Sequence, residues 1–426
     1  MAGRKADIDR IAVSPSAPNK VPQLLRQIAL DGQDFVKDGS NRQELLDAVQ
    51  SLFYALETPR EVITRHTFAT STTYAAIETC IKLGVFVHLS QDDKPKSVEE
   101  LAKATNCDAL LLTRLLQHLV ANGAVNQVGP TLYCRTALTI ALTEDKYSDT
   151  YPMMYVSSVF QKNNINMYRT RSLTAGIRAL PAHLHDNNYI NPTSYTDSAH
   201  ERGYNTSLTF WEALKRDPLI AKQFSNHMAM YGVGRPSWMD VGFYPVQRLL
   251  DGVKHDDTLL VDVGGSIGHD ILEFQRKWPN APGRLVLQDL DAVLSKIDSI
   301  HPRIEVMPHD FFTPQPVKGA RAYYLHSVLH DWPDAQCHQI LANIIPAMKR
   351  GYSKILINEH VIPDVGAHWE ATSLDLIMMS IGSTERTEKD WRRLLEGAGL
   401  RIVRIWSVQR GVESLIECEV GERSRL

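Results

Sequence analysis

The stretch Leu259-Leu-Val-Asp-Val-Gly-Gly-Ser-Ile-Gly268 decides the fold. An apolar run of strand character meets a glycine turn, and helical periodicity starts directly after it at His269. Glycines in such a turn let a ligand approach the backbone closely. Strand-like runs recur downstream at Leu285–Leu290, Ile304–Pro308, Ala322–Leu329, Lys354–Glu359, Arg401–Ser407 and Ser414–Val420. Helical segments such as His269–Trp278 and Gln336–Arg350 lie between most of them. This alternation predicts an α/β fold with a doubly wound sheet. Only Val408–Glu413 separates the last two runs, so they read as a hairpin that makes one edge of the sheet antiparallel.

The acids around the glycine turn narrow the ligand. Asp289 lies 21 residues beyond Gly268, at the end of the next strand, where a carboxylate suits a ribose diol. A nicotinamide enzyme shares that outline, but its loop reads G-x-G-x-x-G. Here the loop is Gly264-Gly265-Ser266-Ile267-Gly268 and Asp262 stands just before it. An acid there repels a pyrophosphate and suits a cation. S-adenosylmethionine has a ribose, a sulfonium and no phosphate. A third acid, Asp310, follows the third strand, placed to accept from an adenine amino group while Phe311 packs on the ring. A solvated strand end is the competing reading of Asp310.

Arg321-Ala-Tyr-Tyr-Leu-His-Ser-Val-Leu-His-Asp-Trp-Pro-Asp334 holds the fourth strand and the turn after it. His330 falls at the C-terminal end of the sheet, where α/β ligand sites form. An imidazole titrates near neutral pH and can take a proton from a phenol, which becomes a good methyl acceptor as its phenolate. A lone histidine more often has a structural role, but Glu359 and Glu385 are placed to orient this one. Asp331 and Asp334 resemble metal ligands at first sight. Asp334 reads better as the N-cap of the next helix, so no metal is expected.

The chain has 426 residues, enough for about two to three domains. Hydrophobic residues make up 43% and charged residues 22%, which fits a normal core and excludes disordered and collagen-like classes. The net charge of −3 gives no electrostatic reason to bind nucleic acid or an acidic membrane, and no apolar run is long enough to span a bilayer. Met1–Arg10 lacks the apolar core of a secretory signal, and the five cysteines show no C-x-x-C spacing. A reduced, cytoplasmic protein is expected.

Residues 1–20 are polar with Pro15 and Pro18 and read as a loose arm. Helical periodicity begins near Val21 and resumes at Glu44–Leu56 and Val62–Leu83. Ser97-Val-Glu-Glu100 is a capping box, Asp108 caps a helix over Ala109–Asn122, and Asn126–Thr139 reads as a wing. Winged helices often bind DNA, yet the would-be recognition helix is mostly apolar, with Arg114 and His118 as its only phosphate contacts. It therefore reads as packed in a core or a subunit interface. Residues 150–250 are helical in pattern and rich in Tyr, Met, Phe, His and Asn, which suits either a helical core or an apolar pocket with a few polar contacts. The expected division is 1–145 helical, 146–250 pocket-forming and 251–426 cofactor-binding.

Together these motifs resemble the fungal branch of the class I S-adenosylmethionine-dependent O-methyltransferases, related to the plant caffeate and flavonoid enzymes. The resemblance runs from about residue 60 to 420 and rests on Val261–Gly265, Gln288–Leu290, His309–Phe311, Leu329–Asp334, Ile355–Glu359 and Glu385–Trp391. It implies that Asp262, Gly264, Gly265 and Gly268 surround the methionine part of S-adenosylmethionine, Asp289 and Leu290 the ribose, and Asp310 and Phe311 the adenine. It implies that His330 is the base, flanked by Glu359 and Glu385. Phe224-Ser-Asn-His-Met228 matches a segment whose Met touches substrate; Met228, His326 and Asp331 are assigned to the substrate side. The winged helix is then a homodimerisation domain, and the substrate an aromatic or polyketide-type secondary metabolite carrying a phenol or enol hydroxyl. Ser266 stands where a third glycine is usual, and His326 where a basic residue is common. Some fungal proteins of this type bind the cofactor yet catalyse dehydration or pericyclic ring closure without methyl transfer, and need no His between two Glu. A cofactor-binding regulator without catalysis is a third reading, in which those three residues would be idle.

Overall fold

The computed structural model describes residues 2–154 and 173–421, so part of the aromatic-rich 150–250 segment lies outside the described residues. The chain forms two compact units, Met1–Tyr151 and Pro152–Leu426.

The second unit is built on a seven-stranded sheet: β1 (Thr258–Val263), β2 (Arg284–Asp289), β3 (Ile304–Pro308), β4 (Ala322–His326), β5 (Lys354–Glu359), β6 (Leu400–Trp406) and β7 (Ser414–Val420). Their order is β6-β7-β5-β4-β1-β2-β3. All neighbouring pairs from β5 to β3 are parallel, and β7 pairs antiparallel with both β5 and β6. The antiparallel strand is thus inside the sheet. It is the last strand of the chain, as the hairpin reading expects, and its pairing with the edge strand β6 is antiparallel; β6 itself runs with the other five.

The strands are apolar throughout because both faces are covered. Val261, Val263, Tyr323, Leu325, Ile355 and Ile357 enter one core with helices Asp334–Ile344 and Glu388–Gly397. Their neighbours Leu260, Leu285, Leu287, Tyr324 and Leu356 enter the other with helix His269–Lys277 and Trp238. The alternation is the two-residue period of a strand. β4 stops at His326, short of the expected Leu329, because Ser327 takes a left-handed φ of 50° and Leu329–Asp331 form a 3-10 turn.

In the first unit the capping box at Ser97 and the Asp108 cap both form, on helices Val98–Thr105 and Ala109–Ala121. Leu112, Leu116 and Leu119 are buried at helical spacing, which accounts for the apolar reading of that helix. The wing has three strands: Asn126–Gly129, Leu132–Cys134 and the two-residue Lys96–Ser97. Helices Val21–Asp38 and Arg42–Leu56 leave Leu25, Leu30, Phe35, Val36, Leu46, Val49 and Phe53 exposed. Ala2–Ala12 is a helix rather than a loose arm; its alanines and basic residues favour helix, and the prolines act only beyond it. All five cysteines are free, and no helix among the described residues is long and apolar enough to cross a membrane.

Candidate functional site

The glycine turn leaves β1 with positive φ at Gly264 (74°), Ser266 (53°) and Gly268 (88°). At Gly265 the constraint is space: a Cβ there would stand 2.5 Å from the Asp262 carboxylate and 2.6 Å from Leu287. Asp262 is buried and its Oδ2 has no hydrogen-bond partner. Burial, then the nearby charge of Asp270, pushes its carboxyl well above the usual range. A buried carboxyl under a bare glycine cradle fits a ligand cation. At the end of β2, Asp289 accepts from the backbone N–H of Ser266 (2.8 Å) and of Leu290 (2.7 Å), which ties this acid to the turn. Asp310 is exposed, two residues beyond β3, and accepts the Phe312 N–H at 2.9 Å. Phe311 is half-buried in edge contact with Trp332. These residues fit S-adenosylmethionine: an acid for the sulfonium end, an acid for the diol, and an acid with a ring for the base.

His326 stands on the cradle side. Its Nδ1 is 2.5 Å from Asp270 Oδ2, which also accepts from Tyr324 Oη at 3.0 Å. Burial opposes the charge on His326, but Asp270 outweighs it and raises the imidazolium to about 9. The substrate-side assignment of His326 thus meets a histidine already committed to an acid of the helix that follows the glycine turn. Sequence reading missed Asp270 and Tyr324; the partner is 56 residues away from His326 and no local pattern joins them.

His330 lies in the 3-10 turn after β4, with its side chain 7% exposed. Its Nδ1 is 2.6 Å from Glu385 Oε1 and 3.8 Å from Glu359 Oε2, and its Nε2 is 3.4 Å from Asp331 Oδ1. Glu359 ends β5 and does a second job: its Oε1 accepts the backbone N–H of Val328 and Leu329 at 2.9 Å each, and of His330 at 3.4 Å. Ser383 Oγ donates to the His330 carbonyl, and Arg386 donates to the carbonyls of Leu329 and Trp332 at 2.9 Å each. The turn is therefore held at both ends. Burial works against charge on His330, but Glu359, Glu385 and Asp331 hold its imidazolium well above the ordinary histidine range. Burial pushes Asp331 up to about 7, against the pull of His330. The donor atoms of His330, Glu359 and Glu385 all lie within 4.8 Å of one another. However, 2.6 Å between Nδ1 and Oε1 is the length of a charge-assisted hydrogen bond, shorter than two ligands sharing an ion at about 2 Å each can reach. Asp334 is the first residue of its helix and caps nothing; Oδ1 instead accepts from Arg386 at 2.9 Å. That ion pair, 52 residues apart in sequence, outcompetes the cap.

An aromatic wall adjoins this turn. Trp332 touches Phe311, Phe312, Tyr195 and Trp211, and Trp211 touches Phe224. Phe224, His227 and Met228 share helix Pro218–Tyr231; Met228 is half-buried, and burial holds His227 below the usual histidine range.

Residues 66–145 match the O-methyltransferase dimerisation domain and residues 194–401 the O-methyltransferase domain. The chain belongs to the S-adenosylmethionine-dependent O-methyltransferase family. It is 36% identical to the O-methyltransferase mpaG of Penicillium brevicompactum over 420 residues, covering 96% of this chain and all of that one. The solved structure of LepI in complex with S-adenosylmethionine is 31% identical with a TM-score of 0.80, covering 94% of this chain and 99% of that one; a structure described as a pericyclic reaction enzyme matches equally well. OxaC in complex with S-adenosylhomocysteine and oxaline is 26% identical with a TM-score of 0.78, covering 94% and 98%. The family's helical dimerisation domain and mostly parallel methyltransferase sheet are those described above.

Proposed function

We propose that the protein transfers a methyl group from S-adenosylmethionine to a phenol or enol hydroxyl of an aromatic or polyketide-type metabolite. The observation that carries this reading is the His330–Glu385 contact at the sheet's C-terminal end, next to the aromatic wall around Trp332. Gly264, Gly265, Gly268 and Asp262 would hold the methionine part of the cofactor, Asp289 and Leu290 the ribose, and Asp310 and Phe311 the adenine. When bound, that cofactor supplies an electrophilic methyl. Glu385 fixes the imidazole through Nδ1 and leaves Nε2 as the edge that takes the hydroxyl proton. Glu359 keeps the turn in place. Trp332, Trp211, Phe224 and Met228 would shape the aromatic pocket and exclude water, and much of the rate would come from positioning.

The exposed apolar helices of the first unit, on a chain with a dimerisation domain, support a homodimer. Five free cysteines support a reducing, cytoplasmic setting.

The second reading is ring closure or dehydration without methyl transfer. It is favoured by the similarity to a pericyclic reaction enzyme and by the acidic neighbours that hold the His330 imidazolium well above the ordinary histidine range, which suits an acid. His330→Ala tests the first reading. It should abolish methyl transfer and leave S-adenosylhomocysteine binding by calorimetry within about threefold; undiminished turnover would remove His330 from the mechanism.

A further inference from the structure

An imidazole that carries protons on both nitrogens accepts none. His330 is surrounded by Glu359 and Glu385 at its Nδ1 edge and by Asp331 at its Nε2 edge. Glu385 is committed to Nδ1, and its backbone N–H is fixed by Asp375 Oδ1 at 2.9 Å. Glu359 is committed to the backbone of Val328–His330. Asp331 is the carboxylate on the edge a hydroxyl must approach; its Oδ1 stands 3.4 Å from Nε2, at ion-pair rather than hydrogen-bond geometry until the site closes on substrate, with its side chain 17% exposed.

We propose that Asp331 is the proton-holding partner of His330, taking the Nε2 proton when substrate binds so that a neutral imidazole meets the hydroxyl. This rests on the methyl-transfer reading. The step conserves protons and charge. The Nε2–H bond breaks, the Asp331 Oδ–H bond forms, and a cation and an anion become two neutral groups. An apolar substrate that expels water favours that exchange, because an ion pair loses more solvation than a neutral pair. The hydroxyl O–H then breaks, Nε2–H re-forms, and the oxygen keeps the electron pair that attacks the methyl. Asp331 acts through His330 and is a positioning residue in that sense. Burial, with Glu359 and Glu385 beside it, raises Asp331 to about 7 against the pull of His330, which brings this carboxylate closer to an imidazole than an ordinary carboxylate stands.

The test uses the full-length chain and reads both the imidazole and turnover. Nuclear magnetic resonance of nitrogen-labelled histidine, without cofactor, should show the His330 ring sensing a titration near 7 that vanishes in Asp331→Asn and persists in Asp331→Glu. The pH profile of kcat should rise near 7 in the wild type. In Asp331→Asn it should rise at a pH at least about one unit higher, with a loss of about 10- to 100-fold at neutral pH that recovers in alkali. An unchanged ring titration in Asp331→Asn, or a loss equal at every pH, overturns the proposal. A wild type whose ring titrates as expected but which moves no labelled methyl overturns the transfer reading, and with it the role in turnover, while the coupling itself stands.

Discussion

His330 Nδ1 and Glu385 Oε1 stand 2.6 Å apart across 55 residues of sequence, both buried. This contact sets the imidazole's orientation and its charge together. Glu385→Gln keeps the shape and removes the anion. The His330 imidazolium then loses a stabilising charge, and Asp331 loses a neighbour that raises it, so both groups give up their protons at lower pH. The rising limb of kcat against pH should move to lower pH, and the maximum should drop about 10- to 100-fold because the tautomer is no longer fixed. A limb that stays in place would separate Glu385 from the proton chemistry.

Gly265→Ala places a Cβ 2.5 Å from the Asp262 carboxylate, and either the acid or Leu287 must move. Overpacking of this kind costs about 1–3 kcal/mol, and where the ligand-bound cradle bears that cost the affinity falls about 5- to 150-fold. Calorimetry with S-adenosylhomocysteine reads it directly; affinity within twofold of the wild type would show that the cradle does not touch the ligand.

The burial of Asp262 works against stability. Burial raises its carboxyl in the folded state, so folding needs a proton that the unfolded chain releases above about pH 4. The penalty is absent below the unfolded value and grows as pH rises toward the folded one. Asp262→Asn removes it. The ligand-free variant should melt higher than the wild type, by more at pH 8 than near pH 4, and should bind S-adenosylmethionine more weakly. An unchanged melting temperature at pH 8 would contradict the burial argument.

Ser266 holds a left-handed φ of 53°, a conformation that favours glycine. Ser266→Gly should keep stability within about 1 kcal/mol, while the β-branched Ser266→Val should lose about 1–3 kcal/mol. Denaturant titration of the two variants checks the order.

The sheet was legible because every strand is a short apolar run, covered on both faces, between turns. Strand order was not, because β7 enters between β5 and β6 through pairing that no local pattern encodes. The glycine turn and Asp289 were legible from spacing along one chain segment. The His326–Asp270 and Asp334–Arg386 pairs were not, since each joins residues more than 50 positions apart. Asp334 shows the rule: an N-cap is the local option, and a buried arginine offers a stronger one.

Methyl transfer to oxygen is the central claim, and the fate of a labelled methyl tests it most directly. The protein is incubated with methyl-labelled S-adenosylmethionine and a panel of phenolic and enolic polyketides, and product mass and label are followed together. The account predicts a product heavier by one labelled methyl and an equal amount of S-adenosylhomocysteine, both absent with His330→Ala. A product isomeric with its substrate or lighter by water, formed with the cofactor intact, would contradict it.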